Sequence, residues 1–468
     1  MALSSLICPD NFNRMKMSRH YLTIDGRRVH YRRCGEGPPL VMIHQSPRSS
    51  AEYEALMQGW GAHFSCIAPD TPGFGQSEPL ATADPTIDDY ADAVADFIRA
   101  LGLEKTPAYG FHSGGIILVA AMQRHPGLFT GLAVGGYAVW THEEMAAFGE
   151  AYLPPFTPSR YGEHLTWLWN RILEQSWFFP WFDARGETRL SVAHDDPARV
   201  HGAVMDMLDS GDAYRLGYGA VLHAPRGIPP VDAVTPPVLI TAYDGDPLQG
   251  HIDRLGDMPA GWSATKVATL KAHQDASLAF LLLRAGPMPD RYAEDACQGF
   301  IRIDTGHFDG LIHWRGSRSA ESLIVHAPGR DMGHHLPDSW VVIDMPGHGL
   351  SDDWPGVAPT DRAPWDAVVE AASQALGAGQ TLYRLHPEGD PDKLFPDLRP
   401  DRHGHYLATA WSIVRAGYFF TPWYKANAAH AAAFEAQMIT PEAMAADHLV
   451  LLRARAARAM MIAMGQPA

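Results

Sequence analysis

The sequence predicts an α/β fold in which a mostly parallel central sheet is flanked by helices and carries a helical cap. Short apolar runs typical of buried strands alternate with helical patterns through roughly the first 290 residues. A tract crowded with aromatic side chains interrupts this alternation, and a similar tract returns 242 residues later. Because single cores stop growing near ~250–300 residues, a chain of 468 residues is expected to form at least two domains.

Composition restricts the function classes. The chain is 46% hydrophobic and 19% charged, as in ordinary globular proteins. Its 37 basic and 53 acidic residues give a net charge of −16, which repels nucleic acid and anionic lipid. The cysteines are scattered without a C-x-x-C pair, and no signal peptide or apolar run of ~18 residues is evident. We therefore expect a cytoplasmic protein with a small-molecule substrate and no nucleic-acid or membrane partner.

The secondary-structure elements follow from local patterns in order. Alternating apolar residues around Asp25-Gly26 predict a hairpin from His20 to Arg33. Continuous apolar runs then predict buried strands, and apolar residues at helical spacing predict the helices between them. The predicted strands are 40–43, 66–70, 107–111, 128–136, 238–242 and 265–270, and the predicted helices are 87–101, 116–124 and 276–283.

The aromatic tract from Pro154 to Phe182 recurs in the second half of the chain. At a fixed offset of 242, eight of 24 aligned positions are identical: Pro158, Arg160, Gly162, Leu165, Trp169, Phe178, Pro180 and Trp181 match Pro400, Arg402, Gly404, Leu407, Trp411, Phe420, Pro422 and Trp423. The motif at 70–77 likewise recurs at 344–351. A domain-level duplication explains both repeats.

The two copies are predicted to differ in completeness. Residues 18–150 and 230–290 form the first α/β core, residues 151–229 its helical cap, residues 300–390 a degenerate α/β segment and residues 391–468 a cap-like helical segment. Ser351 to Pro400 contains nothing like 111–115, so the second half is expected to be non-catalytic. Its incomplete sheet would expose an edge, so we expect it to pack on another domain or on another subunit of a homo-oligomer.

Three motifs occur in a fixed order, each after a predicted strand: His44-Gln45-Ser46-Pro47, then 70–77 (DTPGFGQS), then His112-Ser113-Gly114-Gly115. In this order, residues 20–290 resemble the α/β-hydrolase superfamily. The resemblance implies a serine nucleophile on a tight strand-to-helix turn, for which Ser113 is the candidate. Gly115 supplies the small residue two positions later, whereas Phe111 departs from the small residue usual two positions earlier.

The remaining catalytic groups are implied by the family's chain order of serine, acid and histidine. Asp246 follows the strand after the cap, with Asp244 as its competitor, and His273 follows the last strand. Asp246 would orient His273, and His273 would take and return the proton of Ser113.

The same resemblance places an oxyanion hole at the backbone N–H groups of Ser46 and Gly114. Gln45 replaces the family's glycine in that loop. The family comparison gives His44 and His112 a structural role in bracing their turns. In the cap, Trp167, Trp177 and Phe178 are the candidates for substrate contact.

The leading functional expectation is hydrolysis of a small apolar or aromatic carboxylic ester through an acyl-enzyme. A serine argues against the related dehalogenases and epoxide hydrolases, which attack with an aspartate at this turn. Two alternatives stay open: hydrolysis of a carbon–carbon bond beside a ketone, and a non-enzymatic ligand sensor or scaffold. No metal or organic cofactor is predicted, and His334-His335 is an isolated pair.

Overall fold

The computed structural model describes residues 15–225, 227–289, 292–293, 295–318, 320–331, 339–383 and 387–465. These residues form two units, each with a sheet and a layer of cap helices. Within the described residues, no helix is both long and apolar enough to cross a lipid bilayer.

The first unit is built on an eight-stranded sheet in the order β1-β2-β4-β3-β5-β6-β7-β8. β2 is antiparallel to β1 and β4, and every other neighbouring pair is parallel. This agrees with the predicted fold class. The strands are β1 (Ser18–Ile24), β2 (Arg27–Cys34), β3 (Pro39–Ile43), β4 (Ser65–Pro69), β5 (Thr106–Phe111), β6 (Phe129–Gly135), β7 (Val238–Tyr243) and β8 (Trp262–Val267).

The sequence explains these strands directly. Asp25 and Gly26 both adopt positive φ, as a two-residue hairpin turn between β1 and β2 requires. Every residue of β3 and β4 is buried, because helices cover both faces of the parallel part of the sheet. Continuous apolar runs, without alternation, are the pattern that such burial favours.

Helices flank this sheet and continue into the cap. Those of the α/β core are α1 (Glu54–Trp60), α2 (Ile87–Ala100), α3 (Ser113–Arg124) and α8 (Leu270–Leu282); those between β6 and β7 are α4 (His142–Phe148), α5 (Glu163–Gln175), α6 (Pro197–Ser210) and α7 (Tyr214–Leu222). The predicted last helix starts six residues earlier than expected, at Leu270, with Thr269 as its N-cap. His273 therefore lies inside the helix and not in the loop before it.

The second unit has a five-stranded sheet in the order β13-β11-β12-β10-β9. Its strands are β9 (Gln298–Asp304), β10 (Asp309–Gly316), β11 (Ser322–Val325), β12 (Trp340–Ile343) and β13 (Gln380–Tyr383). Its helices are α9 (Ala363–Leu376), α10 (Pro391–Leu394), α11 (His405–Gly417), α12 (Pro441–Leu452) and α13 (Ala457–Met464). The order and strand directions repeat those of β1 to β5.

The repeated Asp-x-Pro-Gly motif has the same structural role in both units. His30 Nδ1 lies 2.8 Å from Asp70 Oδ2, and His313 Nδ1 lies 2.9 Å from Asp344 Oδ2. Each aspartate also accepts a backbone N–H from its own loop, at 2.8 and 3.0 Å. These contacts tie the loop after one strand to the neighbouring antiparallel strand, so the motif stabilises the fold.

The two units pack against each other through matching surfaces. Tyr21 of β1 stacks on Phe300 of β9, with ring centroids 5.9 Å apart. In the caps, Gly162 faces the ring of Trp411, and Gly404, 242 residues after Gly162, faces the ring of Trp169. The reciprocal contacts resemble those of a two-fold symmetric dimer formed within one chain. Ion pairs between Arg19 and Asp352 (2.6 Å) and between Arg402 and Asp195 (2.7 Å) join the same surfaces.

Gly404→Ala is expected to destabilise this contact by about 1–3 kcal/mol. Gly404 has φ +70°, and a Cβ there would lie 2.5 Å from Trp169 Cγ. Urea unfolding monitored by tryptophan fluorescence measures the effect. The matched control is Gly186→Ala, where a Cβ meets nothing within 4 Å. Equal unfolding midpoints for the two variants would contradict close packing of the caps.

Candidate active site

A sharp turn joins β5 to α3, and its apex residue is His112. His112 has φ 48° and ψ −115°, a strained conformation for a residue with a side chain, and α3 begins at the next residue. A Cβ on Gly110 would lie 2.6 Å from Gly114 C, and a Cβ on Gly114 would lie 1.9 Å from Ile43 O. Only glycine fits at either position, so this pair of glycines fixes the turn around His112.

The turn thus differs by one residue from the one expected around Ser113 and Gly115. The small residues that permit it are two positions before and two positions after His112, in the pattern Gly-x-His-x-Gly. This arrangement accounts for the unexpected Phe111, which is simply the residue between Gly110 and the apex. His112, expected to brace the turn, instead presents its side chain at the apex.

His112 pairs with the acid predicted for the site. Its Nε2 lies 3.0 Å from Asp246 Oδ1, and the Leu248 N–H donates to the same oxygen at 2.8 Å. Burial opposes ionisation of Asp246, but the charge and hydrogen bonding of His112 and the Leu248 amide hold its pKa below the usual value. The competing Asp244 is exposed. The acid therefore orients the histidine at the apex.

An ionised Asp246 requires His112 to carry its proton on Nε2. The other ring nitrogen, Nδ1, then has the free lone pair, and no described residue hydrogen-bonds to it. Phe111 stacks on the imidazole with ring centroids 4.1 Å apart, which limits its rotation. The pair can accept a proton, or attack an electrophile, at Nδ1.

Ser113 lies next to this pair but bonds elsewhere. Its Oγ accepts the Ser46 N–H at 2.6 Å, and among the described residues it makes no hydrogen bond to an imidazole. Of the two N–H groups predicted to form an oxyanion hole, that of Ser46 is therefore bound to Ser113. Because the apex is His112, the amide that follows the apex belongs to Ser113 and not to Gly114.

His273 is not brought into the predicted triad. Its Nδ1 lies 2.5 Å from Thr241 Oγ1 and its Nε2 lies 2.8 Å from Tyr109 OH, so both ring nitrogens are occupied. The side chain is fully buried in α8, and burial lowers its pKa to about 4. The early start of α8 turns His273 into the interior, where Ser113 and Asp246 do not hydrogen-bond to it.

The loop that carries Ser46 is braced as the family comparison implies. His44 Nε2 accepts the Thr71 N–H at 2.9 Å, and its Nδ1 lies 2.9 Å from Gln45 O. Glu52 accepts the Gln45 N–H at 2.7 Å. These bonds hold the backbone of 44–46 against the turn at His112 and fix where the Ser46 amide points.

A small cavity of about 50 Å³ lies over the apex, beneath the cap. His112, Ser113 and Ser46 line its floor, and its other walls are largely apolar: Ile116, Ala138, Trp140, Tyr152, Phe179, Tyr218, Val221, Leu222 and Leu248. Tyr152 and Tyr218 hydrogen-bond to each other at 2.7 Å. Ligand pockets usually measure about 300–1,000 Å³, so only a small group fits without movement of the cap.

The aromatic residues predicted to contact substrate lie outside this cavity. Trp167 packs on Phe156, and Trp177 Nε1 donates to His194 O at 2.7 Å. Phe178 pairs with Arg189 in an isolated bridge. Phe179, one residue further along, does line the cavity, and the sequence offers no signal that separates it from Phe178.

No metal site is found among the described residues, since no group of three or more His, Cys, Asp or Glu side chains is placed to hold an ion. His334-His335 and Cys8 lie outside the described residues. Cys34 and Cys66 are buried free thiols, and Cys297 is an exposed one.

Residues 38–218 match a family model described as the alpha/beta hydrolase fold. Haloalkane dehalogenase 2 of Mycobacterium bovis is 31% identical over 119 residues, which cover 25% of this chain and 42% of that protein. The soluble epoxide hydrolase of Corynebacterium sp. is 33% identical over 103 residues, 22% of this chain and 35% of the relative. The chain thus matches less than half the length of these two hydrolases.

Two solved structures are similar to the chain. An epoxide hydrolase from an endophytic Streptomyces has a TM-score of 0.44 and 16% identity over 57% of this chain and 94% of that structure. The enol-lactonase from Burkholderia xenovorans has a TM-score of 0.42 and 19% identity over 56% of this chain and 96% of that structure.

Proposed function

Because residues 38–218 belong to the α/β-hydrolase superfamily, we propose that the protein hydrolyses a small apolar or aromatic carboxylic ester, with His112 as the reacting base and Asp246 as its partner. The observation that carries this proposal is the position of His112 at the apex of the turn, with Nε2 held 3.0 Å from Asp246. An imidazole oriented by a buried carboxylate is a general base suited to neutral pH.

The proposed reaction begins with an ester whose carbonyl carbon lies above His112 Nδ1. Nδ1 removes a proton from a water molecule while the water oxygen attacks the carbonyl carbon, and Asp246 stabilises the imidazolium that forms. The carbonyl electrons move onto oxygen, giving a tetrahedral intermediate. When this collapses, the C–O bond to the alcohol breaks and His112 returns the proton to the departing oxygen.

The oxyanion requires donors near Ser46. The Ser46 N–H is bound to Ser113 Oγ in the structure, so the substrate oxygen would displace that hydroxyl. The Ser113 N–H, at the N-terminus of α3, is the second candidate donor. In this proposal Ser113 occupies the hole until substrate arrives and is not the nucleophile.

The apolar lining supports an uncharged acyl group, and the cavity volume supports a short one. The turn at His112 carries no aspartate. A covalent ester on a carboxylate of this turn, as in the related dehalogenases and epoxide hydrolases, is therefore not part of this proposal. The preference for a short acyl group can be tested with a single substrate series.

The test measures kcat/KM for 4-nitrophenyl acetate, butyrate and benzoate with the full chain. We expect turnover that falls from acetate to benzoate, because the larger acyl groups exceed the cavity. The Ala138→Trp variant, which fills the cavity from the wall and leaves His112 in place, should reduce turnover of all three esters. No turnover of any ester would overturn the proposed function and favour a non-enzymatic ligand sensor.

A further inference from the structure

One cavity of the second unit, beneath its cap helices, has no role in the proposed reaction. It measures about 400 Å³, within the usual range for small-molecule sites. It lies between the carboxyl ends of β11 and β13 and the cap helices α11 and α12. The lining residues are Ala327, Pro328, Gly329, Arg330, Pro387, Leu394, Phe395, Ile413, Val414, Gly417, Tyr418, Trp423, Asp447 and Leu451.

The cavity sits at a place where α/β sheets commonly bind ligands. β11 lies between β12 and β13 and is parallel to both. The chain leaves β11 toward one neighbour and later returns on the other side, so the strand order reverses there. Such a reversal opens a crevice outside the carboxyl ends of the strands, and residues 327–330, directly after β11, line it.

The first unit carries larger side chains at two positions equivalent to residues that line this cavity. Arg171 is buried, its guanidinium lies 5.2 Å from the centre of the Trp181 ring, and its Nη1 donates to Gln175 at 2.9 Å. The residues 242 positions later are Ile413 and Gly417, and Trp423 corresponds to Trp181. An isoleucine and a glycine are smaller than an arginine and a glutamine, so these positions leave more space in the second unit.

The walls combine an apolar body with a polar end. Leu394, Phe395, Ile413 and Trp423 supply apolar and aromatic surface. At the polar end Arg330 Nη1 lies 3.7 Å from Asp447 Oδ1, and Tyr418 OH donates to Asp447 Oδ2 at 2.7 Å. Because the opposite charges of Arg330 and Asp447 offset each other, this end favours neither a cation nor an anion, whereas a neutral hydroxyl can donate to the carboxylate and accept from the guanidinium.

We propose that this cavity of the second unit binds a neutral aromatic molecule that carries a hydroxyl group, with its ring against Phe395 and Trp423 and its hydroxyl between Arg330 and Asp447. The site is separate from the one at His112 and does not depend on the proposed hydrolase activity. The second unit would then contribute a ligand site of its own.

The test is calorimetric titration of the full chain with 2-naphthol, 2-naphthoate and naphthalene. We expect 2-naphthol to bind at least fivefold more tightly than either of the other probes. The Ile413→Arg/Gly417→Gln double variant restores the side chains of the first unit and should weaken 2-naphthol binding at least tenfold. Its matched control is Ser412→Arg, an exposed change on the same helix, which should bind as the parent protein does.

Two further variants keep the test decisive. Asp447→Asn should weaken 2-naphthol binding about fivefold and leave naphthalene binding unchanged, because only the hydroxyl contacts the carboxylate. Ala138→Trp, which fills the cavity at His112, should leave 2-naphthol binding intact. The proposal would be overturned if the double variant bound 2-naphthol as the parent protein does, or if Ala138→Trp abolished 2-naphthol binding. Equal affinity for the three probes would also overturn it.

Discussion

His112→Ala is expected to lower kcat/KM for 4-nitrophenyl acetate by about 10²–10⁴-fold, the range that a positioned general base contributes. The physical reason is that His112 presents its imidazole at the apex of the turn, while both nitrogens of His273 are bound to Tyr109 and Thr241. Steady-state rates at matched enzyme concentration measure the effect. Circular dichroism of the variant establishes that it is folded.

Ser113→Ala is the matched control for this prediction. It changes the neighbouring residue of the same turn and frees the Ser46 N–H, so we expect it to retain at least a third of the parent kcat/KM. If Ser113→Ala were as inactive as His112→Ala, then Ser113 would be the nucleophile and His112 its base. The proposal that water attacks directly would then be wrong.

Asp246→Asn tests the orienting role of the acid. The carboxylate accepts from Nε2 and so leaves the lone pair on Nδ1. An amide that donates to Nε2 would instead place the proton on Nδ1, and the base would be lost. We expect a fall of about 10²–10⁴-fold in kcat/KM with little change in stability. Because Asp244 is exposed, Asp244→Asn should keep the parent activity and serves as its control.

Stability is expected to fall steeply as the pH drops below about 6.5. Burial lowers the pKa of several histidines, among them His20 and His348, to about 3, and His164, His201, His273 and His448, to about 4. In the unfolded chain these side chains titrate near 6.5. Between pH 6.5 and 4 the unfolded state therefore binds more protons, so the free energy of unfolding decreases as the pH falls.

The size of the effect follows from linkage. Each such histidine contributes a slope of about 1.4 kcal/mol per pH unit once the unfolded state titrates. Two buried carboxyl groups act in the opposite direction: burial raises the pKa of Asp209 to about 6, and burial also raises the pKa of Glu52. Because the histidines outnumber these carboxyl groups, the free energy of unfolding falls by several kcal/mol by pH 5.5, a large part of the stability of many domains. We expect acid unfolding to be complete by pH 4.

Urea unfolding at pH 7.5, 6.5 and 5.5 measures this slope. His448→Gln removes one titrating group while its amide can still donate to Leu407 O, which His448 Nε2 contacts at 3.0 Å, so it should flatten the slope by about 1.4 kcal/mol per unit. His63→Gln, a change at an exposed histidine, should leave the slope unaltered. A free energy of unfolding that is constant from pH 7.5 to 5.5 would contradict the prediction.

The sequence predicts the acid of the site, and it also contains the signal for the residue at the apex of the turn. Asp246 was predicted as the acid, and it pairs with an imidazole in the structure. The exchange of His112 for Ser113 at the apex had a readable signal, because Gly110 and Gly114 bracket His112 symmetrically. The sequence interpretation centred instead on the serine, the residue type expected to be nucleophilic.

The sequence by itself determined the alternation of strands and helices in the first unit and the presence of a strand-to-helix turn after β5. Apolar runs such as 40–43 and turn residues such as Asp25-Gly26 act through neighbours in the chain, so their patterns are visible locally. Only the tertiary structure decided that His273 faces Tyr109 and Thr241, and which cap residues line each cavity. Those outcomes depend on where α8 starts and on how α5 and α11 pack against distant elements. Such packing joins residues that are far apart in the chain, so it leaves no local pattern in the sequence.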